Sequence, residues 1–228
     1  MKKIDIDNLA MREVHLTCPV KAEELAPLQL GDLVYLSGMI FTGREGLYQR
    51  LIDQGLELPQ PLHEISNVNF HCSPAATTTE AGYVVKAVTA TASFRFGKWM
   101  HAFFKKTGCK LIIGKAGMTS ADYRKLFVPA GAVYLTTVGY GLGATYGRAI
   151  RKVHDAMWLE ELGIAQAVWV LEVEAMGPFI VESDREGNSL FELSNEEVNK
   201  NLESLYDGLP QPVLRRFGEE LDRDREVV

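Results

Sequence analysis

Arg44, Arg95 and Lys115 are cations that stand where strand-like segments give way to something else. Arg44 follows the apolar run LVYLSGMIF (33–41) and opens a helical stretch over 44–54 that stops at Gly55. Arg95 follows YVVKAVTATA (83–92), again where a helix begins. Lys115 closes the continuous apolar run KLIIG (110–114), which suits a buried parallel strand, and lies between Gly114 and Gly117. The arginine fork binds carboxylate through two parallel hydrogen bonds and keeps its charge at any working pH. A cation at a helix start is opposed by the helix dipole; a bound anion offsets that cost and also uses the free N–H groups. Open α/β sheets bind ligands at the carboxyl ends of their strands. The three cations therefore predict a pocket for a small, doubly negative molecule.

Other motifs carry less. Gly139-Tyr140-Gly141-Leu142-Gly143-Ala144 formally matches the dinucleotide fingerprint G-x-G-x-x-A, which keeps a nucleotide-dependent oxidoreductase as a distant alternative. The match comes late in the chain, and the acidic residues that could meet a ribose, Glu172 and Glu174, follow after about 30 residues instead of the usual ~20. A turn where backbone meets backbone explains the glycines more simply. Gly114-Lys115-Ala116-Gly117 is no Walker loop, since Ala116 stands where Ser or Thr is needed. His15, His63, His71, His101 and His154 show no paired metal-ligand spacing, and His71 and Cys72 point to opposite faces of one strand. No metal is expected on this chain. Cys18, Cys72 and Cys109 read as buried thiols in a reducing compartment, which makes the cytoplasm the expected location.

The elements that must position the cations alternate. Strands are predicted over 13–19, 33–41, 68–72, 83–92, 110–114, 132–139, 167–175 and 179–184. SPAATTTEAG is predicted to form a loop between the third and fourth of these strands. Helices are predicted from Phe94 to Gly108, over 120–127 opened by Ser120, over 144–162 closed by Gly163, and over 195–207 opened by a capping box of Ser194 and Glu197. Strand and helix in alternation imply an α/β layer architecture. At 228 residues, 46% hydrophobic and 24% charged, the chain suits one domain with an appendage, or two small ones. The expected division is 1–192 as the main domain and 193–228 as a helical extension, with a charge-dense, solvated tail at 215–228. The net charge of -6 argues against nucleic acid. No apolar run approaches membrane-spanning length, and the N-terminus lacks the apolar core of a signal peptide.

Beyond these patterns, LTCPVKAEELAPLQLGDLVYLSGMIFTGREGLYQRL resembles the opening of the β subunit of L(+)-tartrate dehydratase and of the C-terminal domain of class I fumarases. TATASFRFGKWMHAFFKKTGCKLIIGKAGM is similar to that family's Gly-Pro-Thr-Thr-Ser-x-Arg stretch, its helix and its Gly-Lys-Gly-Gly loop. VPAGAVYL and AVWVLEVEAMGPFIVESDREGNSLF are similar to its later strands, so the resemblance spans roughly residues 13–192 in order. It implies a swivelling β/β/α domain related to one domain of aconitase. It implies hydro-lyase activity on a small dicarboxylate such as tartrate, malate or fumarate, dependent on an α subunit that holds a [4Fe–4S] cluster. The assembly implied is a homodimer of heterodimers. By position, the resemblance assigns substrate binding to Arg44, Arg95, Lys115, Ser93 and Gly114, and a catalytic role to Thr91 and Tyr48. Three departures stand out: the Gly-Pro before the threonines is lost (Thr89-Ala90-Thr91-Ala92), the active-site histidine of Arg-Asp-x-x-His is Tyr48, and Gly-Lys-Gly-Gly is Gly114-Lys115-Ala116-Gly117. A relative that binds the dicarboxylate without turning it over is the alternative these departures raise.

Overall fold

The computed structural model describes residues 11–80, 82–205 and 208. Its contacts divide the chain between Leu193 and Ser194. The expected tail at 215–228 lies outside the described residues. Strands β1 (Glu13–Cys18), β2 (Leu33–Thr42), β3 (Val68–Phe70), β6 (Leu111–Gly114), β7 (Val133–Thr137), β8 (Ile150–Met157) and β9 (Val168–Ser183) make one mixed sheet in the order β1-β2-β3-β6-β7-β9-β8. β4 (Cys72–Thr79) and β5 (Gly82–Ala90) form a separate antiparallel pair.

β1, β2, β3, β6 and β7 run parallel to their neighbours. β9 is antiparallel to both β7 and β2, so the sheet closes on itself through β2, β3, β6, β7 and β9. Alternation along each strand supplies two cores. Leu111, Ile113, Val133 and Leu135 pack into one with the β4–β5 pair, whereas Ile112, Tyr134 and Phe41 pack into the other with the helices. The helix Gly97–Thr107 presents Trp99, Met100, Phe103 and Phe104 to that second core, and Gly108, at φ 66°, ends it as its sequence predicts. Among the described residues no helix is long and apolar enough to cross a membrane.

Six expectations are corrected. The helix over 144–162 is a short helix, Gly143–Arg148, then strand β8, then a turn of helix, Leu159–Leu162. β8 carries register shifts between Ile150 and Lys152 and between Val153 and Asp155. Each bulge inserts a residue, so Ile150, Val153 and Ala156 recur on the core side every third position, and the strand imitates a helical period. The loop over 73–82 is mostly strand β4, whose Thr run suits a strand despite its small residues. The strand over 68–72 breaks at His71, where the chain leaves the main sheet for the pair. The strands over 167–175 and 179–184 are one continuous β9. The last helix starts at Leu190, and Ser189 instead of Ser194 caps it, its hydroxyl accepting from Glu192 N–H at 3.1 Å. Similarly, Thr119 and not Ser120 caps the helix that begins at Ser120.

Candidate anion-binding site

The tripeptide Thr91–Ser93 is wedged between two parallel strand ends. Past Phe70 the ladder between β3 and β6 opens, and the bonds continue through it. His71 N–H donates to Ile113 O at 2.7 Å, Thr91 N–H to His71 O at 2.7 Å, Lys115 N–H to Thr91 O at 3.2 Å, and Ser93 N–H to Lys115 O at 3.2 Å. Ala92 and Lys115 form a parallel bridge. On the other side, Gly43 N–H donates to Phe70 O at 3.1 Å, which brings the start of the Arg44 turn to the same strand end. Arg95 follows on the 3-10 turn Ser93–Phe96. Backbone pairing thus gathers Arg44, Thr91, Arg95 and Lys115, from separate stretches of chain, at the carboxyl ends of the parallel strands.

Arg44 is half-buried, with Nη1 donating to Ala165 O at 3.0 Å. Its Nε–H is buried and has no partner among the described residues. Burial lowers the Arg44 pKa, and the Arg95 guanidinium nearby lowers it further. Neither arginine forms an ion pair among the described residues. Arg95 is exposed and lies over the Phe96 ring at 5.4 Å. Lys115 is half-buried and begins a tight loop in which Ala116 (φ 62°) and Gly117 (φ 65°) are both left-handed. Ala116 holds that conformation at a cost of about 1–2 kcal/mol that a glycine would avoid. Beneath the loop, Met118 N–H donates to the Tyr123 hydroxyl at 2.7 Å, and that hydroxyl donates to the buried Glu182 carboxylate. A Cβ at Gly117 would lie 2.9 Å from the Tyr123 oxygen.

Tyr48, Ser93 and Gly114 are buried, and each is engaged by neighbours within the domain. The Tyr48 ring is enclosed by Phe96, Trp99 and Phe103, and its hydroxyl lies 2.6 Å from His71 Nε2 while accepting from Asn69 Nδ2 at 2.8 Å. Ser93 Oγ lies 2.7 Å from His71 Nδ1 and accepts from the Tyr134 hydroxyl at 2.7 Å. Gly114 sits directly under that hydroxyl. The residue that joins them, His71, is weighed in the sequence only as a metal ligand and not as a hydrogen-bonding partner of the site. Its signal was a histidine inside the apolar run VNFHC, two positions after another polar residue, Asn69.

Burial lowers the His71 pKa from 6.5 to about 3. Between those values the unfolded chain takes up a proton that the folded chain refuses. Stability is therefore full above pH ~6.5 and falls as pH drops toward 3, by at most about 1.4 kcal/mol per pH unit. Glu182, raised above its ordinary 4.5 by burial, works in the opposite sense just above that value. Denaturant midpoints at pH 7 and pH 5 should show the loss in the wild type and a smaller loss in His71→Asn. Equal slopes would remove His71 as the cause.

The three thiols are free and buried, with Cys18 and Cys109 pushed up to about 12 by burial. Among the described residues no three His, Cys, Asp or Glu side chains converge on a common metal position. Gly143 in the 139–144 loop and Gly147 in the helix after it have a packing explanation, whereas a Cβ at Gly139 or Gly141 would meet nothing within 4 Å. A Cβ at Gly143 would lie 2.5 Å from Val88 O and one at Gly147 2.2 Å from Lys86 O, so both let the helix lie against β5.

The geometry is that of an α/β domain whose cations gather at the carboxyl ends of parallel strands. The chain belongs to the Fumarase C-terminus family, whose profile matches residues 2–194. It is 34% identical over 183 residues to the L(+)-tartrate dehydratase subunit beta of Escherichia coli K12, covering 77% of this chain and 85% of that one. A Methanocaldococcus jannaschii protein, provisionally named as the same subunit, is 33% identical over 186 residues, with 80% and 93% covered. A Geobacillus stearothermophilus protein provisionally named class I fumarate hydratase is 33% identical over 204 residues, 89% of this chain and 37% of that longer one.

Proposed function

We propose that this chain is the beta subunit of a hydro-lyase that adds or removes water on a small dicarboxylate of the fumarate, malate or tartrate type. The observation that carries the reading is the buried, unpartnered Nε–H of Arg44 beside a second guanidinium, Arg95. An unsatisfied buried donor costs ~1–3 kcal/mol, and two like charges repel. A carboxylate between them offsets both. Lys115, whose backbone flanks Thr91, would meet the second carboxylate and the negative charge that develops beside it during proton removal. Thr91 would take or return the carbon-bound proton. An alcohol is a weak base, so this step needs the positive surround that Arg95 and Lys115 supply.

The resemblance assigns the [4Fe–4S] cluster to an alpha subunit, and the buried thiols of this chain, with Cys18 and Cys109 pushed up to about 12, are poor thiolate donors for one. A cluster-bearing alpha subunit would hold it, and when bound it supplies a Lewis acid for the hydroxyl group. The assembly would be a homodimer of heterodimers in the cytoplasm, with the present domain swivelling against its partner as the aconitase-related fold implies.

Two measurements test the reading. Titration of the isolated chain with fumarate, malate and tartrate should give binding that weakens with salt and disappears in Arg44→Ala. The complex with its partner should interconvert at least one unsaturated dicarboxylate and its hydrated form. Binding without turnover in an intact complex would make the chain a non-catalytic dicarboxylate module. No binding and no turnover would end the proposal.

A further inference from the structure

His71 lies where the chain leaves β3, and it grips the Thr91–Ser93 tripeptide at both ends. Its carbonyl accepts Thr91 N–H at 2.7 Å, and its ring Nδ1 lies 2.7 Å from Ser93 Oγ. Edge-on contacts with Tyr48 and Phe96 fix the plane of the ring. The other nitrogen, Nε2, lies 2.6 Å from the Tyr48 oxygen. With the Asn69 amide in this orientation, that oxygen accepts from Nδ2–H and Nε2 is the acceptor within reach of the tyrosine's own proton. In that arrangement a neutral imidazole carries its proton on Nδ1, facing Ser93 Oγ. Full burial keeps the ring neutral, and its pKa of about 3 agrees. Tyr134 donates to the same serine from the far side, which leaves Oγ no freedom to turn.

We infer that His71 is a positioning residue for hydro-lyase turnover: an Nδ1–H imidazole, its tautomer chosen by Tyr48, that clamps Thr91–Ser93 and so sets where the Thr91 hydroxyl meets the substrate. The inference rests on the function proposed above. It explains why the chain tolerates tyrosine at position 48: the position serves the site through His71 and need not touch substrate.

The test compares His71→Asn, His71→Gln and Tyr48→Phe in the complex with the cluster-bearing partner. An asparagine amide reaches about as far as Nδ1 and can still donate to Ser93. A glutamine amide reaches about as far as Nε2 and abandons Ser93. We expect His71→Gln to lower kcat about 10–100-fold with KM nearly unchanged, because the cations that bind carboxylate stay in place. His71→Asn should recover most of kcat. Nitrogen-15 spectra of the histidine should show the Nδ1–H tautomer in the wild type and a mixture in Tyr48→Phe. An Nε2–H tautomer in the wild type overturns the inference, as does equal loss in Asn and Gln that tracks their melting temperatures. A wild-type complex with no turnover overturns the hydro-lyase reading and this role together, whereas wild-type turnover with an indifferent His71→Gln overturns this role alone.

Discussion

A complex carrying Thr91→Ala should turn over its dicarboxylate about 10²–10⁴-fold more slowly than wild type, the range typical for loss of a general acid–base group. KM should move little, since on the proposed reading Arg44, Arg95 and Lys115 would still hold the carboxylates. Arg95→Ala should cost about 10²–10³-fold in kcat/KM, by analogy with the loss of one donor to a developing charge, and KM should rise with it. The contrast follows from where the side chains attach. Thr91 is mostly buried, with its backbone bonded on both sides to His71 and Lys115, so truncation removes a hydroxyl without freeing the chain. Arg95 is exposed, so its loss removes charge with little change in packing. Steady-state kinetics on fumarate, malate and tartrate would measure both. Near-normal turnover in both variants would dismiss the assignment.

Gly114→Ala should be the most damaging single methyl in the site. A Cβ there would lie 2.0 Å from Ser93 Oγ, 2.6 Å from the Tyr134 oxygen and 3.2 Å from the Thr91 carbonyl oxygen. Ser93 cannot swing away without giving up its bonds to both His71 and Tyr134. Overpacking of this kind costs about 1–3 kcal/mol, and a stranded buried hydroxyl adds about 1–3 kcal/mol more. We expect a loss of about 2–6 kcal/mol in denaturant unfolding and a fall in kcat of at least about 10²-fold, from displacement of Thr91. Gly139→Ala is the control: its backbone is extended and open space surrounds the added methyl, so stability should stay within about 0.5 kcal/mol. A Gly114→Ala protein as stable and active as that control would show that Ser93 has room the geometry denies it.

The candidate site was legible as chemistry before it was legible as geometry. Arg44, Arg95 and Lys115 announce themselves because each follows an apolar run, and charge type and strand ends are local properties of sequence. The helix Gly97–Thr107 and the buried parallel strand β6 were readable for the same reason, since a regular period of apolar residues is written in consecutive positions. β8 was misread because two bulges changed its period from two to three, and a bulge is set by the partner strand β9 rather than by β8 itself. Closure of the sheet through β9 and β2 was likewise invisible, because the paired residues lie more than a hundred positions apart.

What the sequence determined, then, was which side chains could bind a dianion and the alternation that makes an α/β layer. Only the tertiary structure decided that Thr91–Ser93 lies between His71 and Lys115, and that Tyr48 and Ser93 belong to a buried chain of hydrogen bonds. The reason is physical: a hydrogen bond between residues twenty to forty positions apart depends on which strands become neighbours, and that is settled by burial of the whole core rather than by any local run of residues.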